Sequence, residues 1–334
     1  MEWEAVMKIS LRSVLLTLAA ALAFGGATAQ MAHAAEKVSF GQVSPTATGW
    51  PGIIANAKGF FAENGIEWDV VSIGVSPGQQ AVASGSLNIM HNTCNAVVSF
   101  MERGGIGARL AMATVTPHPG VLIAKKGVKN VSELKGKIVG TSSIQSGSTI
   151  ALKRLLKAKG LAEGEYDLVA GQGTAQIYQG LQGGALDAVW LVPPQSIAAA
   201  QAGFSILGSF REVAPKFMFT CISANADWLK NKTELAQKFA KSWLKGVAWL
   251  HDPKNRTESE MLLANTLKIT PEVAAKTYDE LIIRNAGIYP PDGKVDLDSL
   301  RATMEIMVEG HELASMPQGD LRRFIDDTML GGSK

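Results

Sequence analysis

The chain has 334 residues, a formal net charge of +2, and 46% hydrophobic residues. That length is enough for two domains of ordinary size, and the near-neutral balance gives no basic footprint for nucleic acid or an anionic membrane surface. Two cysteines far apart in sequence, Cys94 and Cys221, make no disulfide framework and are expected to be buried free thiols.

At the N-terminus Lys8 and Arg12 flank the start of an apolar run at 14–24, and small residues follow down to Ala32-His33-Ala34. A charged region, a short apolar region and a small-x-small site together predict a secretory signal peptide over residues 1–35. Met7 is the better start, because Glu2 and Glu4 otherwise precede the basic region. The run is shorter than the ~20 residues of a comfortable membrane span. An uncleaved anchor is the other reading of the same run. No cysteine stands at the cleavage site to carry a lipid, and no later segment is long and apolar enough to span. The expected location is periplasmic, by secretion.

From residue 38 to about 225, strand-like and helix-like stretches alternate. Strands are predicted at 38–43, 68–73, 88–91, 110–115, 121–125, 138–141, 167–170, 188–192, 205–207 and 217–223. Helices are predicted between most of them, at 50–63, 79–84, 96–103, 149–159, 175–182 and 195–202. That rhythm means mostly parallel sheets with helices on both faces. Past Asn225 only helical patterns follow. Leu235, Phe239, Trp243, Val247 and Leu250 form one apolar face, which Asp252-Pro253 ends. Thr270-Pro271-Glu272 opens another helix, and a last pair is predicted at 298–313 and 320–329. Trp243 and Trp249 are expected in the core of this layer.

One short segment is echoed. Ser84-Gly85-Ser86-Leu87-Asn88-Ile89 resembles Gly183-Gly184-Ala185-Leu186-Asp187-Ala188, and each stands between a helix and an apolar strand. Two copies of one helix–strand unit predict two similar domains. The echo also makes Asp187 a structural residue, because it sits at a strand entry, opposite the end where open α/β sheets bind ligands.

The loops after the strands are therefore the candidate site. In the first half they are Ser44-Pro45-Thr46-Ala47-Thr48-Gly49-Trp50, Ser76-Pro77-Gly78, Asn92-Thr93-Cys94-Asn95 and Thr116-Pro117-His118-Pro119. In the second half they are 142–149, with Ser142, Ser143, Ser146, Gly147 and Ser148, then Gly171-Gln172-Gly173-Thr174, and Pro193-Pro194 after Trp190. All are neutral and rich in hydroxyls, Gly or Pro. Most open onto a helix start, where free N–H groups and the positive dipole end receive anions without Arg or Lys. Simple N-capping uses the same geometry, so for 142–149 both roles stay open.

No phosphate-binding loop, dinucleotide fingerprint or nucleophile elbow is present. The five histidines, His33, His91, His118, His251 and His311, show no metal-ligand spacing. His91 and His118 stand near strand ends and are either ligand contacts or satisfied structural residues. The loops hold binding groups and no catalytic set.

Several segments carry a family resemblance. Gly59-Phe60-Phe61-Ala62-Glu63-Asn64-Gly65-Ile66 resembles the helix exit of nitrate/sulfonate/taurine-type ABC-transporter substrate-binding proteins, within the thiamine-pyrimidine-precursor-binding-like superfamily. Ala83-Ser84-Gly85-Ser86-Leu87-Asn88-Ile89, Glu133-Leu134-Lys135-Gly136-Lys137, the Gly147-Ser148 loop, and Gly184-Ala185-Leu186-Asp187-Ala188 with Pro193-Pro194 resemble the same family in the same order.

The resemblance implies an α/β fold: a two-lobed clamshell of the type II periplasmic-binding kind. Each lobe would be a mostly parallel sheet flanked by helices, with a helical C-terminal layer. Lobe one would span 36–120 and be completed by 224–334. Lobe two would span 126–216, with the strands at 121–125 and 217–223 as the hinge. The implied function is capture of a small organic solute or anion between the lobes and delivery to an ABC permease and its ATPase. The solute would be like a sulfonate, taurine or nitrate, or a small aromatic or heterocyclic compound.

The protein would be a monomer and not an enzyme, with no cofactor, no metal and no nucleic-acid partner. The implied contacts are Thr46, Thr48, Trp50, Asn92, Thr93, Thr116, His118, Ser142, Ser143, Ser146, Gly147, Ser148, Trp190 and Pro193. Trp50 and Trp190 either stack a flat ligand or line the lobe cores. Trp190 and His91 occupy equivalent strand ends and are candidates to face each other across the cleft. Two rivals stay open. One is a pyrimidine-precursor synthase of the same fold, which would be cytosolic and carry a Cys-rich motif. The other is a ligand-sensing partner of a membrane receptor.

Overall fold

A computed structural model describes residues 35–332 apart from 143, 145, 146 and 172. The signal-peptide expectation falls on residues 1–34 and so lies outside the described residues.

The chain begins with β1 (Glu36–Gln42), α1 (Trp50–Ala57) and a short turn of helix, α2 (Phe60–Glu63). The single helix expected at 50–63 breaks because Gly59 takes a left-handed φ of 74°, which favours glycine. Next come β2 (Ile66–Ser72), α3 (Val75–Ser84), β3 (Ile89–Thr93), α4 (Cys94–Glu102) and β4 (Ala108–Val115). The second half repeats the order with β5 (Val121–Ala124), β6 (Ile138–Thr141), α5 (Gly147–Ala158), β7 (Asp167–Ala170), α6 (Thr174–Gln182), β8 (Ala188–Leu191), α7 (Gln195–Gln201) and β9 (Ser205–Ser209). Finally β10 (Thr220–Asn225) leads into α8 (Ala226–Asn231), α9 (Thr233–His251), α10 (Arg256–Leu267), α11 (Pro271–Tyr278) and α12 (Leu297–Glu309).

Two five-stranded sheets result, ordered β2-β1-β3-β10-β4 and β7-β6-β8-β5-β9. They share one plan. In each, the three strands on one side run parallel, and the fourth position is held by an antiparallel strand, β10 or β5. The short echo in the sequence marks this repeat. Asn88 Oδ1 accepts from Ser39 N–H at 2.9 Å, and Asp187 Oδ2 accepts from Ile138 N–H at 3.0 Å. Each side chain thus ties its strand entry to the neighbouring strand, and Lys125 Nζ completes Asp187 at 2.7 Å. Asp187 is structural, as expected.

The two strands expected at the hinge each lie within one sheet. β5 bonds along its length to β8 and β9, and β10 to β3 and β4, so each belongs wholly to one sheet. The chain crosses between the sheets in the segments 116–120 and 210–219 instead.

The C-terminal helices complete the first lobe. Trp243 is buried among Phe40, Phe239 and His91. α1 and α9 approach very closely at two glycines: a Cβ on Gly52 would meet the Trp243 ring at 2.4 Å, and one on Gly246 the Pro51 carbonyl oxygen at 2.2 Å. Thr270 caps α11, as its Thr-Pro-Glu start predicts. The helix expected at 320–329 is replaced by two 3-10 turns, Leu321–Phe324 and Asp327–Leu330. Between them Ile325 bridges Leu110, and Asp326 N–H donates to the Leu110 carbonyl at 2.9 Å. This extended pair covers part of the outer edge of β4, beside the bond from Ala113 N–H to the Gly293 carbonyl at 2.7 Å.

Candidate functional site

Strand ends of both sheets meet across a small cavity of about 80 Å3. The first lobe supplies Val43, Ser44, Thr46 and Thr48 after β1, Val75 at the start of α3, and His91, Asn92 and Thr93 at the end of β3. Phe219 and Thr220, at the start of β10, also belong to it. The second lobe supplies Ser142 and Ser148 around the start of α5, Gly173 and Thr174 at the start of α6, and Val192 after β8. The lobes touch at its rim, where Ala47 N–H donates to the Pro193 carbonyl at 3.3 Å and Gly173 faces Ser44.

The wall is neutral and hydroxyl-rich. His91 is the one titratable side chain among the described lining residues. Burial pushes its pKa down to about 4, so it is neutral near pH 7. Its Nε2 lies 3.0 Å from Thr114 Oγ1, which in turn lies 2.8 Å from Thr220 Oγ1. Thr46 and Thr48 bond each other at 2.7 Å. Asn92 Oδ1 accepts from Thr93 N–H at 2.8 Å, while the buried Thr93 hydroxyl has no partner. α4 and α6 begin at the cavity without a side-chain cap, and the first N–H of α4, from Cys94, donates to the Phe219 carbonyl at 2.9 Å.

His118 stands behind this wall, fully buried in the 116–120 crossover. Phe219 stacks on it at 3.6 Å between ring centres, and Trp190, Phe210 and Phe217 complete the enclosure. Burial pushes its pKa well below the usual histidine value. Gly120 N–H donates to Nδ1 at 2.8 Å, so Nδ1 carries no proton and Nε2 does. Nε2 lies 3.3 Å from Ser148 Oγ and donates to it. Held this way, His118 cannot take a proton from Ser148.

Six of the expected contacts line the cavity: Thr46, Thr48, Asn92, Thr93, Ser142 and Ser148. Ser143 and Ser146 lie outside the described residues, and Gly147 begins α5. Pro193 contributes its carbonyl to the rim contact. The structure does not bring the others into the wall. Thr116 N–H donates to the Ile288 carbonyl at 2.9 Å, away from the cavity. Trp50 is fully buried, donates Nε1 to the Ser259 carbonyl at 3.1 Å, and meets Tyr278 edge-on. Trp190 is buried against His118 and Phe210 and does not face His91 across the cleft. Large aromatics gain most from full enclosure, and both found it in the lobe cores.

Sequence reasoning missed Phe219 and Thr220. The loops at the C-terminal ends of strands reach the cavity only from strands that run toward it. β10 runs the opposite way, so its first residues stand there. Cys94 and Cys221 are buried free thiols, as expected, and burial raises the Cys94 pKa with help from a hydrogen bond to Cys221. Among the described residues, no group of three or more His, Cys, Asp or Glu side chains is placed to hold a metal ion, and no helix is long and apolar enough to cross a membrane.

A second hollow of about 440 Å3 shares Val75 with the cavity. Its wall includes Gln79, Ser99, Phe100, Arg103, Ile144 and Glu312. Gln79 stands between the two spaces, accepting from the Asn92 amide at 3.5 Å, and its own amide nitrogen is unpartnered.

Two matching sheets with a polar cavity at their facing strand ends define the two-lobed fold of periplasmic solute-binding proteins. The chain is similar to a solved ligand-binding component of an ABC-type import system from Staphylococcus aureus, crystallised with zinc bound. The TM-score is 0.73 at 13% identity, covering 90% of this chain and 99% of that one. The alkanesulfonate-binding protein SsuA of Xanthomonas axonopodis pv. citri, bound to MOPS, aligns with a TM-score of 0.69 at 15% identity, over 83% of this chain and 94% of that one. A desulfurization enzyme, DSZB, also shares the fold, with a TM-score of 0.63 at 15% identity, covering 89% of this chain and 98% of that one.

In sequence, the family model described as NMT1/THI5 like matches residues 48–256, well over half of the chain, and the protein belongs to that family. It is 25% identical over 246 residues to the "Putative binding protein YtlA" of Bacillus subtilis (strain 168), covering 71% of this chain and 74% of that protein.

Proposed function

We propose that the protein is the extracytoplasmic solute receptor of an ABC importer. It holds a small acceptor-bearing solute between its lobes and hands it to a permease driven by an ATPase. The observation that carries this reading is the neutral, hydroxyl-lined cavity shared by the two sheets, with two uncapped helix starts opening on it. Free N–H groups at helix starts receive oxyanions without a cationic side chain. At about 80 Å3 the cavity suits a compact polar head group. The adjoining hollow offers room for a substituent.

Sulfonates, nitrate and small aromatic or heterocyclic compounds with exposed oxygens are the solute classes of this reading. Secretion by the N-terminal signal, a periplasmic location and a monomeric state belong to the same proposal. Binding without catalysis is favoured by the fixed tautomer of His118, which denies Ser148 a base.

A thermal-shift panel of alkanesulfonates, nitrate, aromatic carboxylates and pyrimidines tests the reading. A ligand present at a hundred times its dissociation constant is expected to add about 2.7 kcal/mol of stability. A panel in which no member raises the melting temperature contradicts it.

A further inference from the structure

The tautomer of His118 has a consequence for the polarity of the ligand. A serine hydroxyl offers one proton and two lone pairs. One lone pair of Ser148 receives the His118 Nε2 proton. Ser148 therefore cannot spend its own proton on His118, and no acceptor for it is found among the described residues. The side chain lines the cavity, so the cavity is where that proton can be used. The rings of Trp190, Phe210, Phe217 and Phe219 enclose His118, and its two ring nitrogens are taken up by Gly120 N–H and Ser148 Oγ. The Thr93 hydroxyl, buried and unpartnered in the same wall, offers a second donor.

Resting on the solute-binding reading above, we propose that His118 is a positioning residue that turns the Ser148 hydroxyl proton into the cavity. The ligand then presents a hydrogen-bond acceptor to it, either the oxygen of an oxyanion or a carbonyl oxygen. A solute that offers only a donor at that point meets a proton instead of a lone pair, and is disfavoured.

The test has two arms. The imidazole nitrogen resonances of 15N-histidine-labelled protein are expected to show His118 protonated at Nε2 and bare at Nδ1, assigned with a His118→Gln variant. The opposite tautomer overturns the proposal. In calorimetric titrations, methanesulfonate probes the oxyanion and uracil the carbonyl. Ser148→Ala is expected to weaken whichever binds by roughly two- to tenfold, the loss of one hydrogen bond.

His118→Leu should cost a similar factor in the wild-type background and nothing further in the Ser148→Ala background, because the two residues act as one unit. His118→Gln, which keeps a donor at similar reach, should recover most of the loss. Equal losses from His118→Leu in both backgrounds overturn the proposal. If neither probe binds, the solute classes proposed above are at fault, and the nitrogen resonances still decide the orientation of Ser148.

Discussion

Replacing Trp190 by Ala is expected to destabilise the protein by about 3–5 kcal/mol, the usual cost of emptying a buried tryptophan site. The ring is buried among His118 and Phe210, and it packs so tightly on Gly120 that a Cβ there would meet its Nε1 at 2.3 Å. Trp50→Ala should cost a similar amount, because it removes the edge-on contact with Tyr278 and the hydrogen bond to the Ser259 carbonyl. Urea denaturation curves of both variants check this. A variant that keeps wild-type stability while losing ligand affinity would return its tryptophan to the binding wall.

The second large effect is acid destabilisation. Burial holds His91 neutral, its pKa pushed down from 6.5 to about 4. The unfolded chain takes up this proton near pH 6.5, whereas the folded chain does not until about pH 4. Stability therefore falls as the pH drops through that window, and this group costs nothing further below it. At about 1.4 kcal/mol per pH unit, the loss is on the order of 3 kcal/mol. His118, also pushed down by burial, acts in the same direction. Denaturation midpoints measured between pH 7 and pH 4 should fall more steeply for the wild type than for His91→Gln. An equal fall in the two proteins contradicts the assignment.

The repeat was legible because it is written locally. A helix, a glycine cap, a leucine and an Asn or Asp recur before β3 and β8, and the two sheets share the same plan around them. The loops after the parallel strands were legible for the same reason, and they supplied Thr46, Thr48, Asn92, Thr93, Ser142 and Ser148 to the cavity. Long-range contacts were not legible. Trp50 is enclosed by Tyr278 and Ser259, more than 200 residues away, and nothing near Trp50 announces them. Phe219 and Thr220 were read as part of a hinge strand, because strand direction is a property of the sheet and not of the segment. The role of His118 depends on one backbone N–H two residues away. That bond is local in sequence, yet only the folded crossover brings the ring onto it.

In the proposed function the solute is held between the two lobes. Small-angle scattering with and without a saturating ligand tests it most directly. The contact of Ala47 with Pro193 and the approach of Gly173 to Ser44 already join the two lobes, and a ligand that adds contacts to both would favour closure. The radius of gyration should be smaller for the bound protein than for the free protein. An unchanged radius, with binding confirmed by calorimetry in the same sample, would contradict capture between the lobes.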